Sequence, residues 1–253
     1  ESWDISPDGL TYTFHIRKGV RFQDKPPVNG REMTANDILF GWQRYLGLGE
    51  FTEDGPSIFT HISMKQLESI AAPDKYTFVV KVKQPELGML LTLLKTHPNP
   101  YLHPLAPEVL KEFDDLQEQE SHIGTGAFMW TDWARGTSLT YIKHPDYYGY
   151  DDKYPENRLP YVDGFKVLFI GELETRMAAM RTGKIDMIDS GFSAWQKFGM
   201  EVAEDLQKTN PDVVVWPAVS RSNFALAVNT QKPPFDDISV RRAMQMALDL
   251  PTI

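Results

Sequence analysis

Between Leu10 and Arg17 the apolar residues Tyr12, Phe14 and Ile16 alternate with Thr11, Thr13, His15 and Arg17. A period of two predicts a strand with one buried face, entered from the turn Ser6-Pro7-Asp8-Gly9. A Pro/Gly-rich connection over Phe22 to Gly30 follows, and Thr34 then opens a helix whose apolar positions are Ile38, Leu39, Trp42, Tyr45 and Leu46. Asp37 stands three residues after Thr34, where a carboxylate favours a helix N-terminus. Phe51 to Met64 has no period and reads as a loop. Leu67 to Ala71, Pro73-Asp74-Lys75 and the β-branched run Tyr76 to Val82 predict a hairpin. Pro85 suits the first turn of a helix reaching Leu94, and a second short helix is expected over Ala106 to Phe113.

The stretch from Ile123 to Tyr148 predicts another hairpin. It has a Gly124-Thr125-Gly126 turn, an alternating run through Trp133, a break at Ala134-Arg135-Gly136 and a second run from Leu139 to Lys143, which His144-Pro145-Asp146 ends. Beyond it the pattern switches between strand and helix: strand Phe165 to Ile170, helix Glu172 to Thr182 stopped by Gly183, strand Ile185 to Ile188, helix Ser193 to Lys208, and strands Val213 to Trp216 and Asn223 to Val228. That alternation predicts an α/β layer with a substantially parallel sheet. The last element is a helix over Ile238 to Leu248, capped by Asp236 and Asp237. The hairpin is the passage between a mixed α/β first part and this second part.

Composition narrows the chemistry. The 253 residues carry 26 Lys and Arg against 35 Asp and Glu, a net charge of −9, with no basic cluster to track a phosphate backbone, so nucleic acid is not an expected partner. The absence of cysteine removes disulfides, thiolate catalysis and thiolate metal sites, and leaves the compartment open. His97 and His103 lack metal-ligand spacing and read as loop residues, and Asp151-Asp152 reads as a surface turn rather than a calcium site. No hydrolase elbow, zinc-protease helix, phosphate loop or dinucleotide fingerprint occurs. No catalytic residue, metal or cofactor is therefore expected. Of the aromatic residues Trp130, Trp133, Trp195, Trp216 and Phe224, most are expected in the core. Those at strand ends or on loops, Phe192 and Trp195 after the Ile185 strand and Phe224 at the start of its strand, are candidate ligand contacts, and the rule that ligands in open α/β sheets lie beyond the carboxyl ends of strands adds Ser190.

Several strings carry a family resemblance. Gly124-Thr125-Gly126-Ala127-Phe128, Trp133 and His144-Pro145-Asp146-Tyr147-Tyr148 resemble the "G-T-G-P-Y, W, N-P-x-Y-W" signature of the family 5 extracellular solute-binding proteins. Trp3 with Ser6 to Gly9 and Thr11 to Phe22 resembles its opening strand, Thr34-Ala35-Asn36-Asp37-Ile38 its "T-A-x-D-V", and Arg181 to Asp186 its "x-S-G-E-I-D". Asn229 to Asp237, Val240-Arg241-Arg242-Ala243 and Ala247-Leu248-Asp249 resemble its "N-x-x-x-P-P-F-D-D, V-R-x-A, A-x-D". The departures are Lys25 for glycine, Ala127 for proline and His144 for asparagine.

The resemblance implies a periplasmic-binding-protein-like (type II) α/β fold, closing on its ligand by hinge motion. Residues 1–122 are then an accessory mixed α/β domain, 123–222 part of the first ligand-binding lobe, and 223–253 the hinge strand and start of a second lobe. Both ends of the chain read as interior to a longer protein, with most of the second lobe elsewhere. The implied function is the non-enzymatic substrate-binding component of an ABC importer, acting in the periplasm or outside the cell and anchored at the membrane. It would be a monomer when intact, holding a peptide or an oligosaccharide and passing it to the permease. The alternatives are a carbohydrate-binding member of the same family and a secreted glycoside hydrolase. The apolar stripe of the last helix is expected to pack back on its own chain or on a second copy.

Overall fold

The computed structural model describes residues 1–53, 55, 66–85, 103–113, 116, 118–188, 200–216 and 228–247. They fall into two compact units, Glu1–Phe169, which is mixed α/β, and Ile170–Ile253, whose described elements are helices.

In the first unit, β1 (Ser2–Ile5), β2 (Thr11–His15), β3 (Leu67–Asp74) and β4 (Thr77–Val82) form an antiparallel sheet in the order β1-β2-β4-β3. The alternation along β4 buries Phe78, Val80 and Val82, and the register sets Tyr12 of β2 opposite Val80. Helix α1 (Ala35–Leu46) lays Trp42, Tyr45 and Leu46 on this face, with the Trp42 and Phe78 rings 5.1 Å apart and edge to face. The helix begins where the sequence places it. The Asp37 carboxylate accepts from the Thr34 backbone N–H at 2.7 Å and from its hydroxyl at 3.0 Å. It ends at Gly47, whose left-handed φ of 63° closes the last turn. Gly41 lies on the side of α1 that meets the chain before α2 (Pro107–Phe113), where an added Cβ would stand 2.4 Å from the His103 carbonyl oxygen.

A second core, built from Val20, Phe22, Val28, Met33, Ala106, Val109 and Ile123, joins the Pro/Gly-rich connection to α2. Arg31 sits over it. Its guanidinium donates to both carboxylate oxygens of Asp37 (2.6 and 3.0 Å) and to both of Glu108 (2.7 and 2.8 Å), and stacks on the Phe22 ring at 5.1 Å. The third part of this unit is the sheet β5 (Phe128–Ala134), β6 (Ser138–Lys143) and β7 (Gly164–Leu168), antiparallel in that order, with an irregularity between Trp130 and Asp132.

The second unit contains α3 (Leu173–Arg181), α4 (Met200–Thr209) and α5 (Ile238–Met246). Met177 of α3 and Ala203 and Leu206 of α4 are buried, and Asn210 donates to the Arg181 carbonyl at 3.4 Å.

Three expectations change. Ile185–Ile188 and Val213–Trp216 form no strand, and every sheet among the described residues is antiparallel. Each run is only four residues long, and β-branched side chains favour a strand only when a neighbouring strand takes their hydrogen bonds and packing. β7 pairs antiparallel with β6 through the long loop after Lys143, and with no strand at Ile185–Ile188 the expected strand–helix–strand unit after it is not formed. Finally, α5 does not bury its stripe on its own chain: none of its residues is buried and Ile238 is 53% exposed, so of the two expected partners only a second copy stands. The expected helix from Pro85 to Leu94 and the strand Asn223 to Val228 lie outside the described residues but for their end residues.

Two outcomes follow for stability. Arg31→Ala leaves Asp37, 2% exposed, without its counter-charge, and should cost about 2 kcal/mol, less than a fully buried pair because the guanidinium keeps some solvent; a lower urea midpoint is the readout. The second concerns Glu32, whose carboxyl is held at about 2, down from 4.5, by the Lys75 ammonium at 2.7 Å and then by the Gly19 N–H at 2.6 Å. Because the folded value lies below the unfolded one, its contribution is present above pH 4.5 and disappears as pH falls toward 2. A pH series of urea melts should show that component in the wild type and not in Glu32→Gln.

Candidate functional site

One face of the β5-β6-β7 sheet is aromatic across all three strands. Register sets Trp130 opposite Tyr141 and Tyr141 opposite Phe165, and the rings stack in that order at 6.3 Å and 4.7 Å. Phe128 meets Phe165 edge to face at 4.8 Å, and Trp133 lies 5.4 Å from Trp130. The rings share a face because residues two apart on a strand do, and the irregularity after Trp130 returns Trp133 to that side. All are partly exposed, Phe165 by 43%. Such a ribbon can stack on flat or apolar groups.

Basic side chains stand at its margin. Arg135 lies over the Trp133 ring at 4.6 Å, and His122 packs against Trp130 at 4.8 Å, where burial holds the imidazole below its ordinary value. Lys25 donates to the Trp130 carbonyl at 2.5 Å, and its ammonium is likewise pushed down by desolvation. The neighbouring Gln23 donates its backbone N–H to the Gly124 carbonyl at 2.9 Å and its side-chain amide to the Phe128 carbonyl at 3.1 Å. The connection before α1 is therefore stitched to β5 through main-chain acceptors.

His144 replaces asparagine in the motif that ends β6. It is buried, and its Nδ1 accepts from the Asp146 backbone N–H at 3.1 Å, the bond an asparagine oxygen makes in an Asx turn. Its Nε2 is buried with no hydrogen-bond partner among the described residues. The loop beyond it folds around Asp151, which accepts from the Lys153 and Tyr154 N–H groups (2.7 and 3.0 Å) and the Tyr161 hydroxyl (2.8 Å). Those bonds, the Tyr161 hydroxyl foremost, hold the Asp151 carboxyl below its ordinary range. Asp151 is thus a turn former, as the sequence indicates. Among the described residues no group of three or more His, Asp or Glu is placed to hold a metal ion.

Ser190, Phe192, Trp195 and Phe224 all lie outside the described residues. The strand Ile185 to Ile188, whose end pointed to Ser190, is not formed. Of the other aromatic candidates, Trp130 and Trp133 enter the ribbon, while Trp216 is 85% exposed. Sequence reading missed the ribbon as a unit. The signal was present in the spacing of Phe128, Trp130, Tyr141 and Phe165, but needed the hairpin register to be read.

If His144 serves as an asparagine equivalent, His144→Asn should hold the urea midpoint near wild type. His144→Ala should lower stability by about 1–2 kcal/mol by removing the acceptor and leaving a gap.

Comparison with known proteins agrees with this architecture. The model of the bacterial extracellular solute-binding proteins, family 5 Middle, matches residues 1–253. Heme-binding protein A of Haemophilus influenzae is 27% identical over 98% of this chain and 44% of its own length. Di/tripeptide-binding protein 2 of Pseudomonas aeruginosa is 28% identical over 98% and 45%. Among solved structures, Haemophilus influenzae OppA in complex with RPPGFSPFR superposes with a TM-score of 0.73 at 26% identity, over 98% of this chain and 46% of that one. The fold is thus part of a type II periplasmic-binding-protein lobe. The chain spans less than half the length of these relatives.

Proposed function

The chain belongs to the bacterial extracellular solute-binding proteins of family 5, and on that footing we propose that it is part of the substrate-binding component of an ABC importer. The parent protein captures peptides outside the cytoplasm and delivers them to a membrane permease. The match of the whole chain to the family carries this reading, supported by the di/tripeptide-binding relative and by the structure of OppA in complex with RPPGFSPFR. Family members bind substrates for transport, and the parent acts without catalysis, as a monomer anchored at the membrane. Among the described residues no helix is long and apolar enough to cross a membrane.

Residues 1–122 act as the accessory domain, 123–222 contribute to the first lobe, and 223–253 carry the hinge strand into the second. Ser190, Phe192, Trp195 and Phe224 are the proposed ligand contacts.

Full-length parent isolated from its native source should retain peptides, identified by mass spectrometry after denaturation. Retained oligosaccharide or haem would change the ligand class and leave the importer role standing. Turnover of a glycoside with no retained ligand would replace the role itself.

A cleft binds because both walls desolvate the ligand and pair its polar groups. The 253-residue chain alone should therefore bind peptides more weakly than micromolar. Calorimetry is the check, and binding at about −8 kcal/mol would mean that these residues already form a complete site.

A further inference from the structure

The connection that grips β5 through Gln23 and Lys25 turns back at the pair Asn29-Gly30. Asn29 stands at a φ of 51° and Gly30 at 64°, so both are left-handed. Asparagine is among the few side chains enriched in that conformation, and glycine adopts it without steric cost. Gly30 is confined further, because an added Cβ would stand 3.3 Å from the Asp24 Cβ. The turn therefore selects a pair with a chemical weakness. A nitrogen followed by glycine is unhindered, and asparagine places an amide carbon within a five-membered ring of it.

In the folded turn that ring cannot close. A left-handed residue has a ψ of about +30 to +60°, which turns the next nitrogen away from its Cβ. The Asn29 backbone N–H donates to the Lys25 carbonyl at 2.8 Å, and its Nδ2 donates to the Pro27 carbonyl at 3.1 Å. The Gly30 N–H donates to the Gln23 carbonyl at 3.3 Å, while Arg21 Nη1 donates to the Gly30 carbonyl at 2.8 Å. We propose that Asn29 is a site of spontaneous deamidation which the fold holds shut and which local opening of the connection releases. On opening, the Gly30 nitrogen gives its proton to hydroxide and bonds to the Asn29 Cγ. The Cγ–Nδ2 bond breaks, and ammonia leaves with a proton from water. A second water then opens the cyclic imide to aspartate or isoaspartate, so the net change is one water consumed and one ammonia released, with no redox step. Reclosure is impaired in both products. Aspartate cannot donate to the Pro27 carbonyl and adds a carboxylate to the turn that holds Asp24, and isoaspartate lengthens the main chain by a carbon, breaking the register of the Gly30 bond to Gln23. Gln23 and Lys25 then lose their fixed approach to β5.

The test holds the full-length parent at mildly alkaline pH, folded and in guanidinium chloride. Mass spectrometry follows conversion of the peptide bearing Asn29 and scores isoaspartate, and melting temperature is measured before and after. Conversion should be at least about tenfold slower in the folded protein, because it must pass through the local opening. Arg21→Ala, which frees the Gly30 carbonyl, should raise the folded rate and leave the denatured rate unchanged. If that variant does not fold, wild type in sub-denaturing guanidinium chloride makes the same comparison, and a rate that does not rise there overturns the gating. Asn29→Gly keeps the left-handed turn and should hold its melting temperature through an incubation that lowers that of wild type. No conversion at Asn29 in either state overturns the site, equal rates in both states overturn the control by the fold, and full conversion with an unchanged melting temperature overturns the damage to the seam.

Discussion

The two-sided grip of Arg31 is the constraint on which the first unit depends. One guanidinium fork satisfies Asp37, which starts α1, and Glu108, which sits in the first turn of α2, while its flat face covers Phe22. A lysine could carry the same charge but not two bidentate pairs at once. The pairing fixes the angle between two helices that belong to different cores. The connection that carries Arg31 is rich in proline and glycine and is held by one antiparallel bridge, Arg21 with Glu32, so the charge network adds to a minimum of strand pairing.

Local order was readable where it is decided locally. Thr34 and Asp37 mark the start of α1, and the β-branched run of β4 marks a strand, without reference to the rest of the chain. The hairpin of β5 and β6 was legible for the same reason. What escaped reading depends on partners distant in sequence. Arg31 and Glu108 are 77 residues apart, and nothing near Arg31 announces an acid from α2. Lys25 and Gln23 stood in an apparent loop, yet they hold a strand about a hundred residues away. Ile185–Ile188 failed in the opposite direction: its side chains fit a strand, but a strand is a relation between segments and here it has no ladder. The candidate site was the least legible part, because it was inferred from that strand.

The aromatic ribbon and the tyrosine loop between β6 and β7 belong to the same three-stranded sheet but differ in what maintains them. In the ribbon each ring is placed by strand register, so its geometry is as firm as the ladder beneath it. In the loop the rings ride on turns closed by Asp151, and the hydroxyl of Tyr161 is itself one of the closing bonds. The ribbon suits contact with a flat or apolar group.

Gln23 and Lys25 recognise β5 only through the carbonyl oxygens of Phe128 and Trp130. Every residue type offers the same carbonyl, so this seam is blind to the identity of the side chains that β5 carries. Over evolutionary time the strand is free to change those side chains, and with them the character of the face it exposes, without loosening the attachment of the connection to the sheet. A family whose relatives bind partners as different as haem and small peptides would gain from joints that grip the backbone and leave the surface open to drift.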